Sequence, residues 1–264
     1  MNKKLLIPVV LIIVLVLAGS AFAFTRLRSS SSDTAETQQK KKVLAPVNMI
    51  PVTERPYMEI APMADGRNVE IRVNSLNKAA DSMEYELEYQ AGTLLQGAFG
   101  ELALGTLPVS KTILLGSCSA GGACTYHEDV QGGSIVTRFS GAENYALKSD
   151  WKYIDNRAKE TQISSRDAKF QLDAAGVATQ RYLVIFNTPG YPEGLTGTAV
   201  SDPYSIVGSS ALQGKGTLII RANEDGATSI MGYDGKTWQT FETTIEGKAL
   251  TADVELMQLY VAVK

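Results

Sequence analysis

The chain is 264 residues long, with 28 acidic and 25 basic side chains, a net charge of -3 and ordinary apolar and charged fractions. That length allows one large domain or two small ones, and the near-balanced charge excludes a basic nucleic-acid footprint, so no nucleic-acid partner is expected. Two cysteines and a single histidine leave little room for metal or triad chemistry.

At the N-terminus, residues 5–24 form an uncharged, mostly apolar run between Lys4 and Arg26. As a helix rising about 1.5 Å per residue, the run spans roughly 30 Å, the hydrocarbon thickness of a bilayer. We read 1–24 as a transmembrane signal anchor and expect the membrane as a partner through this helix. Lys3 and Lys4 favour a cytoplasmic N-terminus, although Arg26 and Arg28 on the far side weaken that vote. Ala21-Phe22-Ala23 has the small-x-small form of a signal peptidase site, which leaves open secretion after cleavage near Ala23. Both readings export the remainder, giving an extracytoplasmic C-terminal region. Leu17-Ala18-Gly19-Ser20 resembles the bacterial lipobox but has Ser20 where that motif needs a cysteine to carry lipid.

Residues 25–46 carry SSSS, QQ and KKK with almost no aromatic side chain, a composition unable to offset its ordering entropy, and read as a disordered linker. Beyond it the period becomes two. In MEYELEYQ, Met83, Tyr85, Leu87 and Tyr89 share one face and Glu84, Glu86, Glu88 and Gln90 the other, as in a half-buried antiparallel strand. Val69, Ile71 and Val73 repeat the pattern, as do Tyr145, Leu147, Trp151 and Tyr153. Leu94, Leu95, Phe99, Leu102 and Leu104 are expected to line a strand pair or an apolar loop. The span 47–163 is therefore expected to be a β-sandwich. Strands of this length, with tyrosines alternating with polar residues and a tryptophan inside, resemble fibronectin type III or immunoglobulin-like modules of bacterial cell-surface proteins. The resemblance implies a fold and no activity.

From 164 to 264, the runs GTLIIRA, SIMGY, WQTFETTI, ALTADVE and LYVAVK alternate with Gly-containing turns and read as a second antiparallel β domain. Its YDGKTW-to-LYVAV end resembles the terminal β-domain of bacterial envelope proteins. The whole is thus expected to be all-β: two antiparallel sandwich-like domains behind an anchor and a tether. Asp234-Gly235-Lys236-Thr237-Trp238 resembles the Asp-box of sialidase propellers, but its aspartate and glycine are adjacent where that motif separates them, and no second copy occurs.

GSCSAGGACTYHED, residues 116–129, holds both cysteines and the only histidine. In an exported chain an even cysteine count favours a disulfide, so Cys118 and Cys124 are expected to staple this loop. Zinc would need Cys118, Cys124, His127 and Glu128 or Asp129 together, at a spacing wider than the usual knuckle. A catalytic thiolate beside His127 would be disfavoured by Glu128 and Asp129. Neither a Gly-x-Ser-x-Gly elbow nor a phosphate loop occurs. Glu84, Glu86 and Glu88 read as solvated charge opposite Arg72 or Arg138, and Asp65, Asp225 and Asp234 as turn residues able to offer oxygen ligands to calcium. No catalytic residue, metal or cofactor is assigned. The candidate binding loop is Tyr126, His127, Glu128 and Asp129, facing a protein or glycan at the cell surface. A non-catalytic display, adhesion or envelope-assembly module is the expected function. The alternatives are a surface hydrolase, which needs two facing carboxylates in a cleft, and a carbohydrate-binding module, which needs exposed coplanar rings such as Tyr191, Tyr204 or Trp238.

Overall fold

The computed structural model describes residues 46–264. The expected anchor, 1–24, and all but the last residue of the expected linker lie outside the described residues. Among those described, no helix is long and apolar enough to cross a membrane.

Alternating side chains build antiparallel sheets throughout. The strands are β1 (Tyr57–Pro62), β2 (Asn68–Ser75), β3 (Ser82–Ala91), β4 (Leu94–Ala103), β5 (Val109–Leu114), β6 (Gly116–Cys118) and β7 (Cys124–Tyr126). Then come β8 (Val130–Ser140), β9 (Tyr145–Asp155), β10 (Gln162–Ser164), β11 (Phe170–Ala174), β12 (Tyr182–Asn187) and β13 (Tyr204–Gly208). The last are β14 (Lys215–Arg221), β15 (Ser229–Tyr233), β16 (Trp238–Phe241), β17 (Thr244–Glu246), β18 (Ala249–Glu255) and β19 (Leu259–Val263). A nine-stranded sheet runs β16-β15-β19-β13-β12-β9-β8-β3-β4. A three-stranded sheet, β1-β2-β5, and a five-stranded sheet, β10-β11-β14-β18-β17, pack on it, and β6-β7 form a separate hairpin. The all-β expectation holds.

The faces follow from the period of two. Met83, Tyr85, Leu87 and Tyr89 of β3 are buried with Val69, Ile71 and Val73 of β2 and with Trp151 and Tyr153 of β9, forming the core between the three-stranded and nine-stranded sheets. A second core joins Phe170 and Leu172 of β11, Leu218 and Ile220 of β14 and Leu250 of β18 to Tyr204 and Tyr260 of the nine-stranded sheet. Strand β12 serves both. Val184 and Phe186 enter the first core, while Leu183 and Ile185 enter the second. Because successive side chains leave a strand on opposite faces, a strand covered on both sides must be apolar at every position, which accounts for the unbroken Leu-Val-Ile-Phe run. The domain boundary expected at 163/164 falls within β10, and β9 before it and β12 after it are hydrogen-bonded neighbours.

On the outer face of β3, Arg138 of β8 forks onto Glu86, with Nη1–Oε1 at 3.0 Å and Nη2–Oε2 at 3.2 Å. Arg72 instead belongs to the three-stranded sheet, where its Nε donates to Glu70 at 2.6 Å. Asp65 accepts from the backbone N–H groups of Arg67 and Asn68, and Asp234 from those of Lys236 and Thr237, so turn chemistry occupies both carboxylates. Asp225 lies 3.8 Å from Lys248. Tyr204 is fully buried, Tyr191 is buried, and Trp238 packs edge-on to Tyr191 at 86° with its indole N–H donating to the Glu193 carbonyl. These three rings form no exposed coplanar platform.

Candidate functional site

Strands β6 and β7 pair Gly116 with Tyr126, Ser117 with Thr125 and Cys118 with Cys124, and the two cysteines form a disulfide. The Ser119 N–H donates to the Ala123 carbonyl and the Gly122 N–H to that of Ser119, closing a tight loop in which Gly122 sits at φ +83°. A side chain at position 116 would put its Cβ 2.4 Å from the Thr125 carbonyl oxygen, so only glycine lets the two strands approach. With the sulfurs bonded to each other, neither is a thiolate available to a metal or as a nucleophile.

Adjacent residues on the hairpin diverge. Tyr126 is 40% exposed, with the Arg67 guanidinium over its ring at 4.2 Å. His127 turns inward: its N–H donates to the Leu115 carbonyl and its Nδ1 lies 2.9 Å from the Tyr89 hydroxyl. Tyr89 also packs edge-on to Trp151. Burial pushes the Tyr89 phenol above its ordinary range, opposed by the Gly116 N–H. Glu128 and Asp129 are exposed, and the Asp129 carbonyl accepts from the Gly92 N–H in the β3–β4 turn. The expected four-residue loop is therefore split, with Tyr126, Glu128 and Asp129 outward and His127 anchoring the hairpin to the first core.

The Gly92–Asp129 bond thus ties the segment after the hairpin to the β3–β4 turn, where β4 begins. Leu102 and Leu104 are buried as expected, but Leu94 and Leu95 are 62% and 67% exposed and Phe99 is 86% exposed. Sequence alone did not flag this surface, because apolar residues on an edge strand look like core residues until their neighbours are known. Replacing Cys118 with serine is expected to cost roughly 2 kcal/mol through the lost loop constraint. Hydrogen exchange should rise most within 116–126 through local opening, and in β12 by no more than the global loss.

Two further features also escaped the sequence reading. An open groove of about 830 Å³ lies along the five-stranded sheet and β9, lined by Lys152, Glu160, Gln162, Ser164, Asp173 and Thr217 among others. Burial lowers the Lys152 pKa, opposed by Glu160, and its Nζ donates to Ser164 at 3.1 Å. No aromatic ring lines the groove. Asp173 is held below the usual carboxylate range by Gln162 and Thr161, which suits an ion and not a proton donor.

The second feature is Asp167, in the β10–β11 turn. Its Oδ1 accepts from Ser165 and from the Lys169 N–H, and its Oδ2 from Asn187 at 3.1 Å and from Tyr204 at 3.0 Å. Burial pushes this carboxyl up, but the four donors outweigh it and hold the pKa below the ordinary value. Asp202 moves the other way: burial raises it, Lys169 opposes, and the Asp167 charge adds to the rise. Carboxyls pushed apart in this way can serve acid–base catalysis. Here both Asp167 oxygens are already engaged, so the cluster acts as a clasp between the β10–β11 turn and the β12–β13 end.

A raised carboxyl favours the protonated form in the folded state, so its stabilisation is present at low pH and lost as pH rises through the folded pKa. Asp202→Asn is accordingly expected to stabilise the protein at neutral pH. The gain should disappear below the ordinary carboxylate range, near about pH 4, as read by denaturant unfolding at several pH values.

No protein-family model, curated protein or solved structure matches this chain. Among the described residues, no three His, Cys, Asp or Glu side chains gather at a metal-binding spacing.

Proposed function

We propose that the chain is a membrane-tethered extracytoplasmic β protein that works by contact, in display, adhesion or envelope assembly, and that its contact surface is the corner formed by the stapled hairpin and the β3–β4 end. The observation that carries this reading is the exposure of Tyr126, Leu94 and Leu95 on a corner pinned by the Cys118–Cys124 disulfide and the Gly92–Asp129 hydrogen bond. A rigid aromatic and aliphatic tip loses little side-chain entropy when a partner covers it. The disulfide supports export, since such bonds persist in oxidising compartments. The apolar run at 5–24 supports the tether, and the fibronectin-like resemblance bears no weight here. Two sandwich-like halves joined through β12 would give this corner a stiff base.

Intact-mass measurement on membrane and extracellular fractions, before and after reduction and alkylation, tests the export and the tether. An uncleaved species in the membrane fraction, gaining two alkyl groups only after reduction, is the expected result. Free thiols on a chain that keeps its N-terminus would overturn the exported reading.

A further inference from the structure

Strand β4 differs from every other sheet edge in the described residues. At the far edge of the nine-stranded sheet, β16 has four residues, and the edges of the five-stranded sheet, β10 and β17, have three each. In the three-stranded sheet, β1 is buried along its length and ends in Pro62, while β5 carries Lys111. These are the ordinary protections against edge-to-edge pairing: shortness, burial, proline and charge. Strand β4 has ten residues, pairs only with β3, shows no register shift, contains no proline and carries one charge, Glu101. Its outer-face residues Leu95 and Phe99 stand in water.

We propose that β4 is the site at which a second copy of this chain pairs, antiparallel and about a two-fold axis at Gly97, making one continuous sheet across both protomers. Residues opposite each other in such a pair have numbers summing to a constant, and the register centred on Gly97 sets Leu95 against Phe99 of the partner, twice. Glu101 then faces Thr93 of the partner, just beyond the strand. A register centred one residue later would set Leu95 against the partner's Glu101, and one centred on Phe99 would set Leu95 against the partner's Ala103. The Gly97 register alone among these pairs both apolar side chains with each other and keeps the charge outside. Glu84, Glu86 and Glu88 on β3 do not oppose it, because three strand spacings of about 4.8 Å separate them from their symmetry mates. That is roughly 14 Å, beyond the physiological screening length of about 8 Å. The interface is isologous and closes at two copies.

The inference rests on the contact reading and supplies one partner for that corner. The test uses the full-length chain in detergent, with sedimentation equilibrium and non-reducing gels of Gly97→Cys. A Cβ at Gly97 would lie 3.4 Å from the Leu87 carbonyl oxygen, an ordinary contact, so this variant fits the fold. The expected result is a dimer that Gly97→Cys locks covalently and Thr240→Cys on β16 does not. Phe99→Lys and Leu95→Lys should each weaken the dimer at least about tenfold and leave the circular dichroism of the folded chain unchanged, since both side chains are exposed. A monomer at all concentrations overturns the inference while leaving the Tyr126 surface to its own test. A dimer indifferent to Phe99→Lys overturns it as well, by assigning association to another part of the chain.

Discussion

Trp151→Ala is expected to lower the unfolding free energy by about 3–5 kcal/mol and to lower it in both halves of the described chain at once. The indole is fully buried in the first core, packs edge-on to Tyr89 and donates to the Glu88 carbonyl at 3.2 Å. Truncation therefore opens a large cavity and removes a hydrogen bond together. The chain has two tryptophans, and Trp238 packs outside both cores on the cluster of Tyr57, Tyr191 and Leu259, so once Trp151 is gone its fluorescence reports the β15–β19 end of the nine-stranded sheet. Strand β12 belongs to both cores, and a loss in one should pass to the other through that shared strand. A Trp238 transition shifted to lower denaturant is the expected result. A Trp238 midpoint left in place would mean that this end of the sheet unfolds independently of the first core.

Asp167→Ala is expected to cost on the order of 3 kcal/mol at neutral pH, because the buried Tyr204 hydroxyl and the Asn187 amide lose their acceptor and each unpaired group costs about 1–3 kcal/mol. The clasp joins the β10–β11 turn to the β12–β13 end, so its loss should loosen the five-stranded sheet first. Its pH dependence has a definite sign. A carboxyl held below its ordinary pKa contributes stability above that ordinary value, and this contribution is lost as pH falls through the lowered folded pKa. The gap between the natural chain and Asp167→Ala should thus be widest at neutral pH and narrow in acid. A gap of constant width from neutral pH to strong acid would contradict the ionic clasp.

The strands with one wet face were the legible part of the fold. Met83, Tyr85, Leu87 and Tyr89 alternate with polar partners, and each is buried. Strands β12 and β19 lack that alternation because both their faces are covered, so periodicity identified apolar runs without saying what lay on either side. The order of the nine-stranded sheet was not legible either, since its neighbours come from distant parts of the chain and no local signal encodes pairing. At the site, the staple followed from an even cysteine count read together with an N-terminus expected to direct export. The inward turn of His127 did not, because a one-residue change of register would have exchanged it with Tyr126. Asp167, Asn187, Asp202 and Tyr204 are scattered in sequence and meet only when the five-stranded sheet closes over β12 and β13.

Site-specific photo-crosslinking in intact cells tests the proposed contact surface. A photoreactive residue in place of Tyr126 is compared with one in place of Thr240, which is also exposed but lies in β16 at the opposite edge of the nine-stranded sheet. Discrete crosslinked species from position 126, formed without lysis and absent from position 240, are the expected result. Equal yields from the two positions, or crosslinks that form only after lysis, would contradict a displayed contact surface at this corner.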